Sequence, residues 1–289
     1  TVYGESATFN IIGKLILLAP IGGENITILD NTTLIQWNGY NVTNMRISYS
    51  LDAGGAWTQI KVIPDAVASS LTYWDVNMPD AVSNTARIKI NATANEAINA
   101  TSADFWLIEG FNIVTPENGL VLVANEVYPI NWTKRGTAAL SNITLWFYNG
   151  TGSYVQLFGT NITNNGTRQW QVPTDVISTN CKVKVQSPIN SNNWNESAPP
   201  FTVRGNITLT SPNGGQVWDA GSTYPINWSY LAPIQNVTIQ YSYNGSSGPW
   251  SNITDSTAAS SGTWNWTIGV NTTLSTTARI KVFDKDQPL

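Results

Sequence analysis

Residues 111–133, FNIVTPENGLVLVANEVYPINWT, hold the pattern that decides the fold. An apolar strand runs into a Pro/Gly turn, a second strand follows, and a tryptophan then stands between two polar residues. The same order returns in residues 15–38, LILLAPIGGENITILDNTTLIQWN, and in residues 206–229, NITLTSPNGGQVWDAGSTYPINWS. The step from turn proline to tryptophan is nearly fixed: Pro20 to Trp37, Pro116 to Trp132, Pro212 to Trp228. A second tryptophan follows in each unit, at Trp74, Trp170 and Trp266, ahead of the strands ARIKI, CKVKV and ARIKV.

The repeat period is about 96 residues, the size of one β-sandwich of immunoglobulin type. Short segments rich in Val, Ile, Thr, Tyr and Trp, bounded by Gly, Asn, Asp and Pro, predict strands throughout. Hairpin turns are expected at Asp52-Ala53-Gly54-Gly55, Asn149-Gly150-Thr151-Gly152 and Asn244-Gly245-Ser246-Ser247-Gly248. The fold class expected is all-β, with three tandem Ig-like or fibronectin-III-like sandwiches over residues 14–109, 110–204 and 205–289. Gly110 and Gly205 join one unit to the next with almost no linker, which favours a stiff rod.

SPNGGQVWDAGSTYPINW, residues 211–228, resembles the Ig-like domain of yeast Ser/Thr-rich GPI-anchored cell-wall glycoproteins and of many archaeal and bacterial surface proteins. The resemblance extends to all three units and is sharpest in the third. It implies a fold and an extracellular setting, and it carries no catalytic residues to transfer.

The third unit is expected to lack its last strand. Interior copies of one segment run from Ala86 to Gly110 and from Cys181 to Gly205; residues 278–289 match its first half and residues 1–13 its second. Counting back from Gly13 places Phe9 and Ile11 at the inward positions of a closing strand, assigned elsewhere to Trp106 and Ile108 and to Phe201 and Val203. Residues 1–13 are therefore expected to be a donor strand, with Glu5, Ala7, Phe9, Ile11 and Ile12 meeting the open third sandwich of another copy. Such a contact is heterologous and builds a filament. The same seam is expected of one period cut from a giant tandem-repeat polypeptide.

Asn-x-Ser/Thr sequons stand at Asn25, Asn31, Asn41, Asn91, Asn99, Asn131, Asn142, Asn149, Asn161, Asn165, Asn195, Asn206, Asn227, Asn236, Asn244, Asn252, Asn265 and Asn271. Chance pairing in a chain of this composition gives roughly 7, so N-glycosylation is the expectation. None has an acidic residue two positions before it, as the extended bacterial sequon requires, and this favours an archaeal glycosylation system, with a eukaryotic one as the second choice.

Composition excludes other classes. A net charge of -4, with no basic run, argues against nucleic acid. No histidine and a single cysteine exclude imidazole-dependent nucleophiles, the usual zinc sites and an internal disulfide framework. The longest apolar run, Leu15–Ile21, is too short to span a bilayer. Ser50–Trp57 looks like the Asp-box turn of sialidases, a structural motif, and the acids share no evident site. No enzyme and no cofactor are expected. Trp57, Trp146, Trp194, Trp218 and Trp250 are candidate platforms for surface carbohydrate, although they do not repeat as a set in the sequence. Asp284-Lys285-Asp286 is read as a solvated loop rather than a calcium site, and Cys181 as a small buried thiol. The functional expectation is a structural subunit of an extracellular glycosylated filament, whose partners are other copies and its N-linked glycans. The alternatives are one period of a giant surface protein and a tandem Ig-like adhesin or carbohydrate-binding stalk.

Overall fold

The structure is a computed structural model and describes residues 2–64, 69–117, 119–136 and 140–286. The outer limits of the 1–13 and 205–289 segments, residues 1 and 287–289, lie outside these. The chain is all-β and consists of three tandem Ig-like sandwiches.

Unit 1 comprises β1 (Lys14–Ala19), β2 (Asn25–Thr27), β3 (Leu34–Tyr40), β4 (Met45–Ser50), β5 (Thr58–Ile63), β6 (Ser69–Tyr73), β7 (Ser83–Ala92), β8 (Asn99–Thr101) and β9 (Phe105–Ile108). Unit 2 repeats it strand for strand: β10 (Gly110–Thr115), β11 (Val121–Val123), β12 (Val127–Arg135), β13 (Asn142–Tyr148), β14 (Val155–Thr163), β15 (Thr167–Gln171), β16 (Ser178–Gln186), β17 (Trp194–Glu196) and β18 (Phe201–Arg204). Unit 3 has β19 (Asn206–Ser211), β20 (Thr223–Leu231), β21 (Asn236–Ser242), β22 (Ser251–Ala258), β23 (Thr263–Thr267) and β24 (Arg279–Asp284).

In units 1 and 2 a three-stranded sheet, β1-β3-β6 or β10-β12-β15, faces a six-stranded one, β2-β9-β7-β4-β5 with β8, or β11-β18-β16-β13-β14 with β17. The first strand of each unit breaks at a register shift just before its turn proline (Leu17/Ala19, Ile113/Thr115, Leu209/Ser211). A bulge of this kind bends the strand, and in units 1 and 2 the chain then crosses to the opposite sheet, where β2 and β11 run parallel to β9 and β18. The hairpin turns fall where the sequence places them, between β4 and β5, β13 and β14, and β21 and β22.

Period-two alternation fills the cores. Trp37, Trp74, Trp132, Trp170 and Trp228 are buried, as is the Cys181 thiol. Trp266, expected in the core with them, is only half-buried. The closing strand of unit 1 also differs from expectation: Phe105 and Leu107 face the core, while Trp106 and Ile108 lie half-exposed. The strand register explains this. Lys14, Gly110 and Asn206 hold one position, opposite Tyr40, Arg135 and Leu231. The residue equivalent to Gly13 and Gly205 is therefore Glu109, not Gly110. Counted from it, Phe9, Phe105 and Phe201 fall in register, each followed two places on by an aliphatic residue, Ile11, Leu107 or Val203.

Candidate assembly groove and glycan-bearing faces

Unit 3 is open where units 1 and 2 are closed. Its second sheet has three strands, β22-β21-β24, with no counterpart of the closing strands β9 and β18 among the described residues. The counterpart of β11, residues 217–219, forms no ladder. In unit 2 the closing strand lies between β11 and β16, with Leu122 opposite Val203 and Cys181 opposite Phe201. In unit 3 no described strand occupies the equivalent places, beside Trp218 and beside Ala278.

The side chains record the missing strand. Ala86 and Cys181 are fully buried beneath Phe105 and Phe201, whereas their counterpart Ala278 is exposed. Ile88, Ile90, Val183 and Val185 are fully buried, whereas Ile280 and Val282 are half-buried. In unit 2, Phe147, Trp170 and Phe201 form a cluster, with ring centroids 5.0 Å apart for the first pair and 6.4 Å for Trp170 and Phe201. Unit 3 has the first two members, Tyr241 and Trp266 at 4.9 Å, and no third ring from a closing strand. Trp218 leans in instead, stacked on Tyr224 at 4.8 Å and edge-on to Trp266 at 6.3 Å.

Residues 2–12 form no strand and are exposed throughout, including Glu5, Ala7, Phe9 (75%), Ile11 (84%) and Ile12 (69%). They are not docked in unit 3 of their own chain. Exposed aromatic and aliphatic side chains thus stand in residues 2–12, and a partly exposed core stands in unit 3.

Sequons divide by exposure. Asn25, Asn31, Asn41, Asn99, Asn149, Asn161, Asn165, Asn244, Asn252, Asn265 and Asn271 are exposed, and Asn131, Asn142, Asn195, Asn206, Asn227 and Asn236 are half-buried. Asn91 is 3% exposed, and its amide donates to the Ala92 carbonyl oxygen at 3.2 Å, so it cannot carry a glycan in the folded chain. At Asn227 the side-chain oxygen is held by the Thr263 hydroxyl at 2.7 Å, and Asn131 repeats this with Thr167.

The surface aromatics do repeat, through a substitution that hides the pattern in the sequence. Trp57, Tyr154 and Trp250 each stand just before the strand that follows the hairpin turn (β5, β14 and β22), and the equivalent lysines Lys89, Lys184 and Lys281 lie 4.4, 4.6 and 4.7 Å from their ring centroids. Lys184 also lies 5.1 Å from Trp146 and 5.8 Å from Trp194. These rings are partners of ammonium groups, which leaves less open face for stacking on a sugar. Beneath Lys184, Glu196 accepts hydrogen bonds from Lys182 and Tyr154. Burial, followed by the Glu196 contact, keeps the Tyr154 phenol protonated well above its ordinary range. Among the described residues no group of acids and cysteine is arranged to hold a metal ion, and no helix is long and apolar enough to cross a membrane.

No protein-family model matches the chain, and no curated protein matches it. Among solved structures it is similar to the fibronectin(III)-like modules of Clostridium thermocellum CbhA, with 12% identity over 65% of this chain and 91% of that one and a TM-score of 0.22. It is also similar to the fibronectin-type domains of chicken CNTN1, with 13% identity over 93% and 90% and a TM-score of 0.26. A three-domain Ig fragment of titin covers 80% of each chain at 8% identity, with a TM-score of 0.28. All three are tandem β-sandwich chains, and at these scores the likeness adds nothing to what the chain's own sheets establish.

Proposed function

We propose that the chain is a non-enzymatic building block of an extracellular, N-glycosylated filament, in which residues 5–12 of one copy close the third sandwich of the next. The observation that carries this reading is the contrast between exposed Ala278 and its buried counterparts Ala86 and Cys181, together with exposed Phe9 in the register of Phe105 and Phe201. An inserted strand pairs Phe9 with Ala278 and completes the ring cluster on Trp266. It sets Ile11 opposite Trp218 on the parallel side. Burying Phe9 and Ile11 contributes about 1.5–3 kcal/mol each before ordering costs, and new ladder hydrogen bonds add to that. The dense exposed sequons support a glycan coat and an extracellular setting.

Assembly is tested by comparing the full chain, a chain lacking residues 1–12 and the variant Phe9→Asp by negative-stain microscopy and light scattering. Fibres from the full chain alone support the reading, and fibres from the shortened chain overturn it. Denaturing electrophoresis of native material after strong heating separates a polymer of single chains from a continuous repeat polypeptide, whose own next period would fill the same groove.

A further inference from the structure

Two loop positions recur at the junctions between sandwiches. Val42, Leu140 and Ile234 each lie three residues before the first buried apolar residue of β4, β13 or β21, which is Met45, Ile143 or Val237. Val82, Ile177 and Leu274 each lie four residues before the small residue Ala86, Cys181 or Ala278. Between units 1 and 2, Val82 and Leu140 line one cavity of about 340 Å³. Between units 2 and 3, Ile177 reaches the third core, to which Ile234 belongs. In both junctions the two positions share one site, a cavity in the first and the third core in the second.

Leu274 continues this series and is 86% exposed. Val42 holds the corresponding place in unit 1; it is buried in the first core, and the loop surface beside it is formed by exposed Tyr40 and Asn41. Of the two internal junctions, only that between units 2 and 3 has a glycine at the position of Gly13. A Cβ at Gly205 would meet Ile234 at 2.5 Å and the Leu231 carbonyl oxygen at 3.0 Å; one at Gly13 would meet the Asn41 carbonyl oxygen at 2.7 Å, and Val42 and the Tyr40 carbonyl oxygen each at 3.0 Å. Gly13 is thus seated on its loop as Gly205 is on its own, while the junction of units 1 and 2 has Glu109 there.

We infer that Leu274 of one copy docks against the Val42 loop of a second copy, so that the seam between copies repeats the contact between units 2 and 3. This rests on the strand-donation reading and adds a second, sandwich-to-sandwich contact that fixes the angle at the seam. A donated strand alone would leave that angle free to swing. The occupant is a second copy because two internal junctions of the same chain already pair these positions.

Photo-crosslinking tests it. The photoreactive residue p-benzoylphenylalanine is incorporated at position 274, which is exposed and spares the fold, and in a parallel sample at position 278. The full chains are allowed to assemble, irradiated and mapped by peptide mass spectrometry. Adducts from 274 to residues 40–44 and from 278 to the peptide containing Phe9 are the expected pair. An adduct from 278 without one from 274 to residues 40–44 overturns the docking contact and leaves strand donation standing. An adduct from 274 alone supports the docking contact and removes strand donation, and the absence of both overturns the two together.

Discussion

The side-chain amide of Asn164 donates a 3.2 Å hydrogen bond to the buried carboxyl group of Glu109, where unit 1 passes into unit 2. Asn164 also accepts the Trp132 indole N–H at 2.8 Å and donates to the Leu140 carbonyl oxygen at 3.0 Å, so the linker residue is tied to the core of unit 2. The other Glu109 carboxyl oxygen is buried without a partner. Burial pushes this group above its ordinary value of 4.5, against the pull of Lys134, the Leu140 N–H and Asn164, and Asp80 pushes the same way as burial.

A raised carboxyl pKa means that the folded chain holds the proton more tightly than the unfolded one. The contribution of Glu109 is therefore fully present below about pH 4.5 and is lost as pH rises through the folded value. Glu109→Gln keeps the shape and removes the titration. The difference in melting temperature between the variant and the parent chain should grow in the variant's favour from pH 4 to pH 7; a difference that stays constant across this range contradicts the assignment.

Gly205→Ala should destabilise the junction between units 2 and 3. The added Cβ would meet Ile234 at 2.5 and 2.7 Å and a backbone oxygen at 3.0 Å, so relief requires backbone movement as well as a rotamer change. Overpacking of this kind costs about 1–3 kcal/mol. Calorimetry should show a lower transition for unit 3, while Gly4→Ala, with nothing within 4 Å, leaves the melting curve unchanged.

Glycopeptide mapping of native protein should find Asn91 bare and sugar on exposed sites such as Asn149 and Asn265. Asn91 has the same Asn-x-Thr chemistry as Asn149 and Asn265, and what separates it is cover. It lies at the end of β7, paired with Asn99 of β8. A glycan found on Asn91 would mean that this edge of unit 1 opens.

The legible part of the fold was its periodicity. Tryptophans at fixed distances from turn prolines gave the sandwiches, and an unpaired half-segment gave the open unit. Residues that keep a position while changing type hid the rest. Glu109 stands where Gly13 and Gly205 stand, and aligning on the neighbouring Gly110 turned Trp106 inward in place of Phe105. Tyr154 stands among Trp57 and Trp250 and concealed the repeated lysine–aromatic pair. The burial of Asn91 depends on β8, a three-residue strand with no strong local signal.

The groove itself yields a binding experiment. In a chain lacking residues 1–12, unit 3 keeps its open edge, and a synthetic peptide of residues 1–13 should occupy it. Binding to the folded state alone raises stability by RT ln(1 + [L]/Kd), about 2.7 kcal/mol at a hundredfold excess over Kd. The melting temperature should therefore climb with peptide concentration. Phe9→Ala in the peptide removes the ring that closes on Trp266 and Ala278, a core truncation of about 3 kcal/mol, so affinity should fall on the order of a hundredfold. Asn10→Ala changes a side chain on the outward face, equivalent to half-exposed Thr202, and should bind as the parent peptide does. Equal affinities for the Phe9→Ala and parent peptides would mean that the strand does not seat its aromatic ring in the open core.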